Sequence, residues 1–332
     1  MSFQIGTRQL RDYIGRNTRC SAPPIEWMVE STNRCNLHCP MCPRASGKYP
    51  PEDMSYEFFQ SLMRSYPDVE CIWPQGFGEP LLHARIFDFI RFAKVAGKTV
   101  SMSTNGSLLD KASSAELIES KLDYLVLPVD GVQNKTYSTN RNPASLDSVE
   151  AHIECLLETK AALRSRIHVT VQMVLMRNNA SEIEAFRRKW RRTGVDSVRV
   201  RDDLSGFDGI RVEGKRSLPG ANRPCFFLWR GPLFVQARGT IIPCPYYLEA
   251  ESFGDLRQQS LSEAWNSEQM QSLRAAHLSG DLSRYPVCAT CPRHQPHPAL
   301  ASLSFFVTTH HIRRVIPRLE DFQRFLGLKL VE

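Results

Sequence analysis

Hydrophobic residues recur along the chain in two alternating patterns, one typical of strands and the other of amphipathic helices. Short apolar runs occupy residues 25–30, 69–73, 99–103, 124–129, 168–176 and 197–200. Between them, apolar positions recur at helical spacing in residues 54–64, 84–96, 110–122, 145–164 and 181–192. This alternation predicts an α/β fold in which parallel strands are joined by right-handed crossovers, six strand-plus-helix units that lack only the last helix.

A cysteine loop follows the first predicted strand directly. Cys35, Cys39 and Cys42 form a C-x3-C-x2-C arrangement that can present three sulfurs to one inorganic centre. A closed structural zinc site takes four protein ligands, whereas an iron–sulfur cluster held by three thiolates leaves one iron open. The triplet therefore favours a cluster, and a zinc loop completed by His38 or by a distant thiol is the alternative.

A second cysteine set lies beyond residues 205–221, which we interpret as a linker because they are rich in glycine, charged residues and turn formers. Its members are Cys225, Cys244, Cys288 and Cys291. A predicted hairpin with strands at 233–236 and 240–242 brings the first two near each other, and the C-x2-C pair completes the site. Four thiolates can hold a metal completely, and by itself such a set is more typical of a zinc ribbon.

Composition limits the cellular setting and the partners. The chain of 332 residues carries a formal charge of +7, and its basic group at 187–192 reads as the solvated face of a helix. No apolar run approaches the roughly 20 residues of a membrane span, and the first residues lack a signal-peptide core. We therefore expect a cytoplasmic protein that binds neither membrane nor nucleic acid, with its ten cysteines used for metal rather than for disulfides.

The first cysteine loop resembles that of radical S-adenosylmethionine (radical SAM) enzymes, with Met41 at a position where many members carry an aromatic residue. The resemblance covers residues 23–204 and implies a partial six-stranded parallel (β/α)6 barrel. It also implies a 4Fe-4S cluster on the three cysteines, whose open iron chelates the amino and carboxylate groups of SAM. An electron from a flavodoxin- or ferredoxin-type donor then splits SAM and leaves a 5′-deoxyadenosyl radical.

The same resemblance assigns SAM contacts at the carboxyl ends of strands. Gly78, Glu79 and Pro80 resemble the family's Gly-Gly-Glu-Pro motif that binds the SAM amine, with Phe77 in place of the first glycine. The residues that end the third strand are candidates for the methionyl carboxylate, although they also suit a turn: Ser103, Thr104 and Asn105.

Two further positions belong to the fourth and fifth strands. Asp130 matches the family's fourth-strand ending, but Pro128 stands where members often have a ribose-binding serine, and proline has no donor. Gln172 points into the barrel if the alternation holds. It is as suitable for a SAM or substrate contact as for a satisfied core amide.

Residues 222–294, with Gly239 before Cys244 and the Phe253-Gly-Asp-Leu stretch, resemble the SPASM/twitch extension of radical SAM enzymes. This resemblance implies one auxiliary 4Fe-4S cluster on Cys225, Cys244, Cys288 and Cys291. The C-x18-C…C-x2-C spacing is similar to that of the inosamine dehydrogenases of aminoglycoside biosynthesis. With four thiolate ligands no iron is left open for substrate, so the cluster suits an electron acceptor.

The resulting hypothesis is a radical SAM oxidoreductase that dehydrogenates a small polar substrate such as an amino sugar or cyclitol. Asp202 and Asp203 are candidates for the general base, with Tyr246 and Tyr247 behind them. The protein is expected to be a monomer or a homodimer. Residues 1–22 read as a lead-in without chemistry and residues 295–332 as a helical tail.

Three alternatives remain open. An epimerase of a carbohydrate would need a cysteine that donates a hydrogen atom, for which Cys71 is the best placed of the spare thiols. A ribosomal-peptide maturase is common among such proteins, although we see no room before residue 25 for a leader-binding domain. The third is a zinc-binding interaction protein without catalytic activity.

Overall fold

One mostly parallel sheet runs through the computed structural model, which describes residues 2–46, 50–201, 224–245, 247, 252–289, 291 and 302–306. Its strands are β1 (Glu26–Val29), β2 (Cys71–Trp73), β3 (Thr99–Ser103), β4 (Tyr124–Pro128), β5 (His168–Val174), β6 (Ser197–Arg201), β7 (Leu233–Val235) and β8 (Ile241–Ile242). Their order is β6-β5-β4-β3-β2-β1-β7-β8, and all neighbours are parallel except β7 and β8. The six predicted strands and the partial barrel are thus confirmed.

The described residues also form helices. They are α1 (Ser2–Ile14), α2 (Tyr56–Ser65), α3 (Ile86–Val95), α4 (Lys111–Glu119), α5 (Asn134–Asn140), α6 (Leu146–Ala162), α7 (Ile183–Arg191), α8 (Phe227–Arg230), α9 (Leu261–Trp265), α10 (Glu268–Ser279) and α11 (Pro286–Ala289). The five predicted crossover helices are therefore confirmed as α2, α3, α4, α6 and α7. Within the described residues, no helix is long and apolar enough to cross a membrane.

The two faces of the sheet differ in chemistry because successive strand residues point to opposite sides. Trp27, Ile72 and Val171 belong to the fully buried apolar core beneath the helices. On the opposite face, which lines the barrel, Tyr124 Oη lies 2.5 Å from Thr170 Oγ1, and Thr170 Oγ1 lies 2.5 Å from Ser197 Oγ. The face that lines the barrel therefore carries polar groups beside the apolar cluster of Cys71, Trp73 and Val126.

The N-terminal segment is more ordered than its polar sequence indicated. Residues 2–14 form helix α1, and Tyr13 packs edge-on against Trp229, with ring centroids 5.5 Å apart. Tyr13 Oη also donates to Pro224 O at 3.1 Å. The segment predicted as a lead-in is therefore a packing element, because its few apolar side chains find partners that are distant in sequence.

The predicted hairpin is confirmed, since β7 and β8 pair antiparallel around a turn in which Gly239 has φ +94°. A second pairing was not predicted: β7 also lies parallel to β1, with Met28 opposite Phe234. The second cysteine region thus extends the barrel sheet from its β1 edge. The linker proposed at 205–221 lies outside the described residues, as does the predicted tail apart from residues 302–306.

Candidate functional site

The cysteine loop lies beyond the carboxyl end of β1 and is held by backbone hydrogen bonds. His38 N donates to Asn142 O at 2.7 Å, and Cys42 N donates to Cys39 O at 2.9 Å. Cys39 is buried, whereas Cys35 and Cys42 are half-buried. None of the ten cysteines, all of which the structure describes, forms a disulfide.

The electrostatics of the three thiols suit a cationic centre. Burial raises the pKa of Cys42, and the neighbouring Cys39 and Cys35 thiols raise it further. Burial likewise raises the pKa of Cys35. Three sulfurs this close cannot all ionise by themselves, but binding to a metal deprotonates a thiol outright. The donor set therefore fits an iron–sulfur cluster at Cys35, Cys39 and Cys42.

The G-x-G-E-P loop after β2 packs tightly against the segment that precedes the first cysteine. Glu79 N donates to Arg34 O at 2.7 Å. A Cβ atom on Gly78 would overlap the Thr32 carbonyl oxygen and lie 2.6 Å from Arg34 O. Glycine is thus required here because two backbone segments touch, which is a structural reason for the residue that the sequence resemblance had matched.

Glu79 joins this loop to the end of β3. Its side chain is 2 % exposed and accepts hydrogen bonds from Thr104 Oγ1 at 2.6 Å and from Asn105 N at 2.7 Å. Burial raises the pKa of Glu79, although these hydrogen bonds act in the opposite direction. Three predicted cofactor-binding residues therefore meet in one buried cluster, next to Pro80, which begins a short 3-10 turn at Pro80–Leu82.

Asn105 links that cluster to the cysteine loop. Its amide nitrogen Nδ2 donates to Asn36 Oδ1 at 3.0 Å and lies 3.9 Å from Cys35 Sγ. Its Oδ1 accepts from Ser107 N at 2.9 Å, so the turn-forming role considered for this residue is present as well. Ser103, two residues before Asn105, is half-buried, and its backbone N–H donates to Gln75 Oε1.

Asp130 occupies the carboxyl end of β4 and is fully buried. Its carboxylate pairs with Arg141 at 2.5 Å and accepts from Val174 N at 2.7 Å. Arg141 Nη1 in turn lies 3.9 Å from Cys39 Sγ. Asp130 therefore reaches the cysteine loop through Arg141, a residue that sequence reasoning missed and that no local pattern marks.

Residues of the fifth strand complete the same edge. Gln172 lies opposite Pro128 in the β4–β5 register and is 7 % exposed. Its side-chain amide forms no hydrogen bond with the residues that the structure describes, which leaves its donors available to a ligand. Met41 packs against Val174 and Met176, so the cysteine loop contacts the end of β5 as well.

The proposed catalytic residues are placed less favourably. Cys71 is fully buried at the amino end of β2, opposite Glu26 and Thr99 in the strand register. The cysteine loop and Glu79 lie beyond the other ends of β1 and β2. Asp202, Asp203 and Tyr246 lie outside the described residues.

Four thiols converge in the second cysteine region. Burial raises the pKa of Cys288, and the thiols of Cys244, Cys225 and Cys291 raise it further, which places all four side chains within electrostatic reach. They come from different segments. Cys225 lies two residues before α8, Cys244 two residues after β8, Cys288 in α11 and Cys291 two residues after α11. Folding therefore assembles the predicted set from segments up to 66 residues apart, from Cys225 to Cys291.

Two neighbours of this set carry their own polar groups. Cys225 N lies 3.4 Å from His277 Nδ1, and burial lowers the pKa of His277 to about 4. Tyr247 is buried against Phe253, and burial raises its pKa. Among the described residues, no group of three or more His, Cys, Asp or Glu side chains has the arrangement of a single-ion site.

Comparison with known proteins agrees with this geometry. Residues 29–189 match the radical SAM superfamily, and residues 225–292 match the SPASM iron–sulfur cluster-binding domain. A tungsten-containing aldehyde ferredoxin oxidoreductase cofactor-modifying protein from Pyrococcus furiosus is 23% identical over 79% of this chain and 86% of its own length. A PqqA peptide cyclase from Xanthomonas axonopodis is 23% identical over 82% of this chain and 81% of its own length.

Solved structures share the fold. anSMEcpe with bound AdoMet superposes with a TM-score of 0.59 at 15% identity, over 91% of this chain and 96% of that one. BtrN in complex with AdoMet and 2-DOIA superposes with a TM-score of 0.52 at 16% identity, over 80% of this chain and 91% of that one. The solved structures share the fold, and the two family matches indicate a radical SAM domain over residues 29–189, which implies an iron–sulfur cluster and SAM binding, and an iron–sulfur cluster-binding domain over residues 225–292.

Proposed function

We propose that this protein is a radical SAM oxidoreductase that removes two electrons from a small polar substrate such as an amino sugar or cyclitol. The observation that carries the proposal is the convergence of four thiols, Cys225, Cys244, Cys288 and Cys291, in a region that shares a sheet with the three-thiol loop. A cluster with four thiolate ligands has no open iron, which suits electron uptake.

The bound cofactors would supply the difficult chemistry, namely a 5′-deoxyadenosyl radical formed from SAM and an auxiliary 4Fe-4S cluster that takes up one electron. For an alcohol substrate, the carbon that bears the hydroxyl would lose a hydrogen atom to the radical that the bound cofactor supplies. The hydroxyl then gives its proton to a base as the electron leaves, and a C=O bond forms. The base remains a proposal at Asp202 or Asp203.

The chain's own groups would bind and orient SAM. Cys35, Cys39 and Cys42 would hold the first cluster, and the buried Glu79 carboxylate would accept from the SAM amine. Asn105, next to Cys35, would donate to the methionyl carboxylate. Asp130 would act through Arg141, whose guanidinium it holds beside Cys39. Gln172 has a free amide for the adenosyl group or the substrate.

The finer assignments follow from the spacing of the second cysteine set. Its similarity to the inosamine dehydrogenases supports a hydroxylated, amine-bearing substrate, an assignment by analogy. A flavodoxin- or ferredoxin-type donor, a cytoplasmic location and a monomeric or homodimeric state complete the proposal.

The test uses anaerobically reconstituted protein. Two 4Fe-4S clusters require about eight irons per chain, and dithionite with SAM should release 5′-deoxyadenosine. Cys39→Ala should abolish this release, whereas Cys288→Ala should keep it while losing about four irons and product formation. Cys155→Ala, a substitution in α6 away from both sets, serves as the control. SAM cleavage by Cys39→Ala at the wild-type rate would contradict the proposal.

Peptide maturation is the second candidate, because a PqqA peptide cyclase is among the relatives that align over most of this chain. The two functions can be distinguished by incubating the reduced protein and SAM with amino cyclitols and, in parallel, with short peptides encoded next to its gene. Deoxyadenosine release above the background without substrate should follow only the cyclitols. A peptide that loses two hydrogens by mass spectrometry would replace the proposed substrate class.

Epimerisation is disfavoured by the position of Cys71 at the far end of β2. An epimerase returns a hydrogen atom to the substrate, so its product would gain one deuterium in D2O without net oxidation. The proposed dehydrogenation predicts a product two mass units lighter and no such label.

A further inference from the structure

A small cavity, open to solvent, lies beside the first cysteine loop at the turn of the β7–β8 hairpin. Its walls come from both sides of the first cysteine loop, from the G-x-G-E-P loop and from the β7–β8 hairpin: Asn33, Arg44, Phe77, Gln236, Arg238 and, at its base, Glu30. A substrate that loses a hydrogen atom at the SAM site must lie beside the first cysteine loop. The cavity is where segments from both regions meet.

Two guanidinium groups in this cavity have unused donors. Arg44 Nε donates to Asn33 O, but its terminal nitrogens have no partner within the described residues. Arg238 donates from Nε to Thr240 Oγ1 at 3.0 Å and from Nη2 to Gln236 Oε1 at 3.3 Å, which leaves Nη1. Neither arginine forms an ion pair with any residue that the structure describes. Such groups recognise carboxylate and phosphate.

The lining of the cavity also contains two acidic residues, Glu30 and Glu52. Glu30 is 4 % exposed, and its oxygens accept from Phe77 N at 3.4 Å and Ala237 N at 3.2 Å. Burial raises the pKa of Glu30, whereas its two backbone hydrogen bonds and the charge of Arg238 lower it. A Cβ atom on Gly76 would overlap Glu30 Oε1, so the Glu30 carboxyl group packs directly against the G-x-G-E-P loop. Glu52 is the remaining carboxylate of the lining.

We propose that Arg44 and Arg238 bind an anionic oxygen group, a carboxylate or a phosphate, of the substrate. The buried Glu30 accepts from a hydroxyl or amine of the same molecule. This inference rests on the proposed function and narrows it, because the polar substrate must then carry an acidic group in addition to its hydroxyls or amine. Arg44 lies two residues after Cys42 and Phe77 two before Glu79, so a ligand held there is next to the SAM-binding loops.

The test measures binding of simple anions to the oxidised, cluster-loaded protein. Saturating SAM is present, so that its own carboxylate site and the open iron are filled. Inorganic phosphate, acetate and ethylammonium are offered separately at constant ionic strength, and binding is followed by ligand-observed NMR. Phosphate or acetate should bind at one site, and the better of the two identifies the acidic group.

Arg44→Gln and Arg238→Gln should each weaken that binding about tenfold or more, because each loses charged hydrogen bonds. Arg8→Gln removes an equal charge from an exposed position on α1 and should leave binding unchanged. Iron content and the EPR spectra of the clusters verify that the variants fold.

If Arg8→Gln weakened anion binding as much as the other two variants, net charge alone would explain the effect. Binding of ethylammonium without any anion binding would show that the site prefers cations. Either result overturns the inference. So does the absence of anion binding. The proposed function fails separately, if the wild-type protein given dithionite does not cleave SAM.

Discussion

Gly78 cannot carry a side chain, because the backbone oxygens of Thr32 and Arg34 leave no room for a Cβ atom. Gly78→Ala should displace Glu79 and weaken SAM binding at least tenfold, a loss of about 1.4 kcal/mol. Equilibrium dialysis of SAM against the oxidised holoprotein measures this.

The matched control is Gly97→Ala. Gly97 has φ +74° and open space around it, so alanine there costs stability of about 1 kcal/mol through backbone strain alone. SAM affinity should stay at the wild-type value. Equal loss of affinity in both variants would mean that general destabilisation, rather than the contact at Gly78, is responsible.

His83, just after the G-x-G-E-P loop, predicts a pH dependence. Its Nδ1 accepts from Arg85 N at 3.2 Å, so the neutral ring donates from Nε2 to Met54 O at 3.0 Å. Burial lowers the pKa of His83 below its usual 6.5. The unfolded chain then binds more protons below about pH 6.5. Stability is full above that pH and falls as the pH decreases towards the folded pKa.

The expected slope from this residue is at most about 1.4 kcal/mol per pH unit. Urea unfolding at pH 7.5 and 5.5 should show a larger loss for the wild type than for His83→Gln, which has no proton to bind. The same loss in both would assign the pH dependence to other groups.

Asp130 marks the limit of prediction for single residues. Its position just after β4 was correctly predicted, and the side-chain contact that the structure shows is Arg141. The pairing depends on the tertiary position of α5 and of Arg141, the residue that follows this helix. Residues 134–140 contain Asn, Thr and Ser, which are weak helix formers, so the helix itself was not predicted.

At the scale of elements, α10 is anchored by one buried arginine. Arg274 donates from Nε to Leu228 O at 2.8 Å, from Nη1 to Thr18 O at 2.9 Å and from Nη2 to Trp265 O at 2.8 Å. Arg274 thereby links α10 to α8, to α9 and to the segment after α1. Nothing in the helical pattern marked this residue, because an arginine in an amphipathic helix is usually solvated.

Arg274→Leu should cost about 3 kcal/mol or more, since three buried carbonyls lose their donors. The SPASM region should loosen first, so that reconstituted protein retains about four irons and still cleaves SAM. Gln269→Ala, on the exposed face of the same helix, should change stability by less than about 0.5 kcal/mol. Retention of all iron by Arg274→Leu would show that the thiol set does not depend on this anchor.

At the scale of the whole molecule, the two domains are parts of one sheet. β7 pairs with β1, and Arg230 forms a buried ion pair with Glu26 at 3.2 Å across the junction. Buried tryptophans lie in both domains: Trp27 and Trp73 are in the barrel, and Trp229 and Trp265 are in the SPASM region. Separate folding of either part would expose strand edges and these tryptophans to water.

Unfolding should therefore be one cooperative transition. Guanidinium titrations followed by tryptophan fluorescence, far-UV circular dichroism and cluster absorbance should coincide in the anaerobic holoprotein. A chain cut after residue 201 should be insoluble or fail to hold its first cluster. Two resolved transitions, or a soluble truncated protein with about four irons, would show that the domains are independent.

The sequence by itself determined the local features of this protein: the alternation of strands and crossover helices, the hairpin and the two cysteine sets. These follow from side-chain periodicity, turn chemistry and ligand spacing, which act within a few residues. Only the tertiary structure decided that β7 joins β1, that Arg141 pairs with Asp130, that Gly78 separates two backbones and that Arg44 and Arg238 meet in one cavity. Each of those contacts joins segments far apart in the chain, and no local pattern encodes which distant group will fill the space.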